Sequence, residues 1–112
     1  MRGLPVLLLF LALAVGLSAC GESEGPATKA GDGDPERGRQ VYLAQCIACH
    51  NTDPSKNGPL GPAIKGSSPG LLEAKLLRGS YPPGYAPKRD TAIMPPQSQM
   101  APYIPDLAAY LR

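Results

Sequence analysis

The sequence has no tryptophan and a single phenylalanine, Phe10, in a chain of 112 residues. Such a length holds one small domain at most, and without large aromatics it has little apolar material for a core. Short chains rich in loop formers, here 13 Gly and 14 Pro, generally need a disulfide set, a metal or a cofactor to hold them. Cysteine is scarce as well. Three residues, Cys20, Cys46 and Cys49, cannot all pair with one another, which argues against a disulfide framework. Neither charge sign dominates, with 11 Lys and Arg against 9 Asp and Glu, so there is no nucleic-acid signature. Something other than disulfides must staple the fold.

Long apolar runs are also missing. Leu4 to Leu17 is uncharged and rich in Leu, Val and Ala, but its 14 residues fall short of the roughly 20 that cross a bilayer as a helix. Behind the basic start Met1-Arg2-Gly3 it reads as the apolar region of an export signal. Leu17-Ser18-Ala19-Cys20 then resembles the lipobox of bacterial lipoproteins, in which the cysteine is lipidated and becomes the mature N-terminus. The plainer alternative is an ordinary small-residue cleavage site with an incidental thiol. The expected organisation is a lipoprotein signal peptide over 1–19, a lipidated N-terminus and flexible linker over 20–33, and a folded domain over 34–112. The linker is small, polar and aperiodic, with a span of about 20 Å as a flexible coil.

The most informative stretch is Cys46-Ile47-Ala48-Cys49-His50. This C-x-x-C-H pattern is the attachment signature of a c-type haem. One turn of backbone brings both sulfurs along the edge of a flat macrocycle, where they add to its two vinyl groups, and His50 is pointed at the iron as proximal ligand. Three alternatives compete. A redox dithiol wants a preceding strand and a longer α/β chain. A zinc site wants a fourth ligand, yet His50 is the only histidine. A Cys46–Cys49 disulfide would close a small strained loop. A large apolar disc also answers the shortage of aromatic core.

Helix signals surround this motif. Asp34-Pro35 predicts an N-cap and first helical residue for a helix running to about Gln45 or Ala48, with Val41 and Tyr42 on its buried face. Ser68-Pro69-Gly70 opens another helix through Arg78, stopped by Gly79, with Leu71, Leu72, Ala74, Leu76 and Leu77 marking its apolar side. Ile104, Leu107, Ala108 and Leu111 recur at helical spacing and predict a final amphipathic helix. Asn51 to Ser67 and Ser80 to Ile93 have no period and read as long loops over the two haem faces. Tyr81, Tyr85 and Pro82-Pro83 are read with equal weight as haem-lining or as solvent-edge residues.

From Asp34 to Arg112 the chain resembles the class I cytochrome c family. Gly38 through Tyr42 to Cys46 matches its G-x-x-x-[FY]-x-x-x-C opening, Gly61-Pro62-Ala63-Ile64-Lys65-Gly66 its G-P-x-L-x-G element with Ile64 for the usual Leu, and Ile93-Met94-Pro95-Pro96 its ligand-bearing turn. Asp106 to Leu111 looks like its closing helix. The resemblance implies an all-α fold of three or more short helices and long loops around one covalent haem c, with Gly38 letting the first and last helices cross and Tyr110 packing near it. It implies that the Pro62 carbonyl orients His50, with Pro59 as the fallback in the duplicated Gly-Pro register. For the second axial ligand two methionines remain. Met94 is favoured because Pro95-Pro96 fix an extended path across the open haem face, whereas Met100 is more readily read as core.

A haem gripped by His50 and Met94 leaves no site for a reactant, so the expectation is a non-enzymatic, one-electron carrier. It would be monomeric, exported, anchored in the membrane through lipid on Cys20, and would shuttle electrons between redox proteins such as respiratory or photosynthetic complexes, docking weakly. Two alternatives stay open: a haem subunit of a larger periplasmic oxidoreductase such as a sulfur-compound-oxidising complex, and a ligand-binding or peroxidase-like haem protein. Nine basic and six acidic residues from Asp34 onward give either a mild basic rim for an acidic partner or ordinary scattered charge.

Overall fold

The computed structural model describes residues 32–112. The expected export signal over 1–19, the lipidated Cys20 and nearly all of the 20–33 linker lie outside the described residues. Within them the chain is all-α: α1 (Pro35–Gln45), α2 (Pro69–Arg78), a 3-10 segment (Ser98–Tyr103) and α3 (Ile104–Leu111), with no strands among the described residues.

Each start follows from local chemistry. The Asp34 carboxylate accepts the N–H groups of Glu36 at 2.9 Å and Arg37 at 3.3 Å, and Pro35 takes a position where no N–H is needed. Ser68 caps α2 through Leu71 N–H at 3.1 Å. Gly79 ends that helix at φ 63°, a left-handed conformation that glycine adopts without steric cost. Lys75 and Arg78 stand in the last turn of α2, where cations complement the helix dipole.

The core joins Tyr42, Leu72, Leu76, Met100, Ile104, Leu107, Ala108 and Leu111. Its frame is the crossing of α1 over α3. A Cβ at Gly38 would stand 2.0 Å from the Asp106 carbonyl oxygen and 3.0 Å from Tyr110 Cβ, so the two backbones approach as closely as they do only because Gly38 has none. Beside it the Tyr42 and Tyr110 rings meet at 5.5 Å, within the range of favourable aromatic pairs. α1 buries only Gly38 and Tyr42, one turn apart. Val41, expected to share their depth, is half-buried and packs at the edge of the core, because the contact stripe is a single residue wide.

No periodicity in the sequence announces the 3-10 segment. Pro102 lies inside it, and it delivers Met100 into the core just ahead of α3. Among the described residues no helix is long and apolar enough to cross a membrane.

Candidate functional site

The site begins where α1 runs out. The N–H groups of Cys49 and His50 both reach back to the Cys46 carbonyl, at 3.3 and 2.9 Å, which winds Cys46–His50 into one turn with both thiols free and half-buried. Burial pushes the Cys46 thiol up to about 11. Tyr42 fixes the far end of the turn, since its hydroxyl donates to the Asn51 carbonyl at 2.5 Å. Burial raises that phenol to about 12, so it stays a donor at neutral pH.

His50 is buried, 8% exposed. Its Nδ1 lies 2.9 Å from the Pro62 carbonyl oxygen. A carbonyl only accepts, so Nδ1 carries the proton it donates, which in the neutral ring leaves the lone pair on Nε2. Pro59, the other proline of the repeated Gly-Pro pair, is exposed. Gly61 lies flat against the imidazole, where a Cβ would come within 2.5 Å of Cε1 and 2.6 Å of Nδ1. The loop that presents Gly61 and Pro62 is ordered by the Cys49 carbonyl, which accepts from Leu60 at 3.2 Å and Gly61 at 2.8 Å. Asn57 adds a brace by accepting Ala63 N–H at 2.9 Å.

Cys46, Cys49, His50, Pro62 and Met94 line one cleft. Its walls are apolar, supplied by Ile64, Leu71, Leu72, Leu76, Leu107 and Leu111. Met94 is half-buried on this cleft, whereas Met100 is 6% exposed in the core and does not line it. Leu71 and Leu72 both line the cleft, and Leu72 is the more buried because it also belongs to the core cluster. Tyr81 and Tyr85 also line it, their rings stacked at 5.4 Å and 11°. The distal loop is tied to the proximal one by Lys88, which donates to the Ala63 carbonyl at 2.7 Å, and to α2 by Gln97 N–H on the Leu76 carbonyl at 2.6 Å.

The donor set suits a covalently attached haem. Two thiols stand one turn apart, an imidazole has its tautomer fixed so that Nε2 is left to bind metal, and a thioether shares an apolar cleft of leucine and isoleucine. It suits zinc poorly, since among the described residues no three His, Cys, Asp or Glu side chains group as a metal site. Two contributions to this region carry no signal in the sequence. Lys75 of α2 reaches the cleft, and its charge is seen only as part of a scattered rim in the sequence. Asp106, beneath the helix crossing, reads in sequence as one more surface carboxylate.

The family model described as Cytochrome c matches residues 35–112. No curated protein and no solved structure matches the chain.

Proposed function

The chain belongs to the cytochrome c family, and from that premise we propose that it is a membrane-tethered, one-electron carrier whose haem iron is held by His50 and Met94. Haem c bound through Cys46 and Cys49 supplies a reversible one-electron couple at iron. The rest is done by the chain's own residues. Pro62 holds the His50 ring in one tautomer and orientation. Met94, followed by Pro95-Pro96, would supply the thioether, a ligand that favours the reduced state, as suits a carrier. Leu71, Leu72, Leu76, Leu107 and Leu111 keep water from the cleft.

One observation carries the axial assignment: His50 and Met94 line the same cleft while Met100 is committed to the core. Optical spectra of the mature protein in both redox states test it, with Met94→Ala alongside. The parent is expected to show the far-red methionine–iron charge-transfer band in the ferric state and the variant to lose it. A band that survives the substitution overturns the assignment.

The tether reading rests on Leu17-Ser18-Ala19-Cys20 behind its apolar run, and dual or triple acylation at one residue would anchor stably where one chain binds marginally. It places the domain outside the cytoplasmic membrane, as a monomer that meets redox partners such as respiratory or photosynthetic complexes through small, short-lived contacts. Cys20→Ser should move the haem-stained protein from the membrane to the soluble fraction. Unchanged membrane retention would refute the anchor.

A further inference from the structure

Among the described residues three cations, Lys75, Lys88 and Arg89, line the cleft, and no carboxylate does. They are not equivalent. Lys88 and Arg89 are exposed, and charges in that setting are screened by salt. Lys75 is half-buried between cleft-lining Leu71, Leu72 and Leu76. Its Nζ stands 4.4 Å from the centre of the Tyr81 ring, and Tyr81 is itself backed by the parallel ring of Tyr85. Glu73, on the same helix, pairs with Arg78 at 3.4 Å instead.

The choice of partner has an electrostatic consequence. A carboxylate could fix a lysine in place equally well, but would cancel its field. An aromatic face attracts the ammonium through its quadrupole and carries no net charge, so the cation is immobilised with its charge intact. Resting on the reading that haem c is seated in this cleft, we propose that Lys75, held by the Tyr81–Tyr85 stack, is a positioning residue that sets the reduction potential. Iron takes one electron from an external one-electron donor, no bond forms or breaks, and the site's positive charge falls by one. A fixed cation on the wall repels the reduced centre less than the oxidised one, and therefore raises the potential.

Redox titration of the haem-loaded protein at low and high ionic strength tests this. Lys75→Gln should lower the equilibrium constant for reduction about threefold to tenfold, or about 30–60 mV for one electron, at both salt concentrations. Lys75→Arg should restore the parent value. Arg89→Gln, which removes an exposed cleft cation, should have an effect only at low salt. Tyr81→Leu keeps the charge but frees it, so its potential should fall partway and become salt-dependent; this variant and Lys75→Arg decide the matter if Lys75→Gln loads haem poorly. A potential unchanged in Lys75→Gln, or in Tyr81→Leu at both salt concentrations, overturns the role of Lys75. Failure of the Met94 assignment shows separately, as a parent spectrum without the far-red band.

Discussion

The Asp106 carboxylate on α3 accepts the backbone N–H of Asp34, at the start of α1, at 2.8 Å. The same carboxylate takes two bonds from Arg37, Nε at 2.5 Å and Nη2 at 3.0 Å, and is only 2% exposed. One buried side chain thus fastens the first helix to the last. The Arg37 guanidinium, helped by the Asp34 amide and opposed by burial, holds the Asp106 carboxyl below the usual range. A depressed carboxylate pKa means that the unfolded chain binds its proton first as pH falls. This stabilisation is full above about pH 4, the unfolded value, and is lost as pH drops through the lower folded value. Asp106→Ala should leave the Asp34 N–H without its acceptor and cost about 1–3 kcal/mol. Urea unfolding at pH 7 and pH 3 measures it, and the gap between parent and variant should shrink at the lower pH.

Gly38→Ala is expected to destabilise although alanine favours helix by about 1 kcal/mol. The new methyl would meet the Asp106 carbonyl at 2.0 Å, and backbone cannot swing aside as a flexible side chain can. Opening the crossing should cost a net of about 1–3 kcal/mol, read as a lower midpoint in thermal unfolding of the haem-loaded protein.

Gly61→Ala should act on the site rather than on the fold. Its methyl would press on the His50 ring, which cannot turn away without breaking the bond to Pro62. Haem content per chain should fall and the visible spectrum should change, while Gly70→Ala, whose methyl would meet nothing closer than Ser68 Oγ at 4.0 Å, should leave both as in the parent.

Met100→Ala and Met94→Ala should separate cleanly. Met100 is packed with Tyr42, Leu76 and Ile104, so its truncation should cost about 2–5 kcal/mol in chemical unfolding with the far-red band retained. The opposite pattern would exchange the roles of the two methionines.

What the sequence discloses and what it conceals divide along physical lines. Asp34-Pro35, Ser68-Pro69 and Gly79 are legible because caps are local chemistry, settled within four residues. Cys46, Cys49 and His50 are legible because their spacing is the geometry. The Asn51–Ser67 loop carries no period because its order comes from side chains and carbonyls far apart in sequence, such as the Cys49 carbonyl on Leu60 and Gly61. Asp106 lies off the apolar stripe of Ile104, Leu107, Ala108 and Leu111 and looks solvent-facing; it is buried because Arg37 and the start of α1 cover it, a fact of the crossing and not of the helix. Lys75 meets Tyr81 across the end of α2, a pairing that no helical spacing announces.

The fastening of Asp34 to Asp106 also decides how the domain bears mechanical stress. Tension arriving at Asp34 meets the α1–α3 crossing and is shared through the buried carboxylate with the C-terminal helix. The loops that carry Pro62 and Met94 branch off beyond that joint, so a jolt at one end of the polypeptide need not detune the colour or the poise of the pigment at its centre.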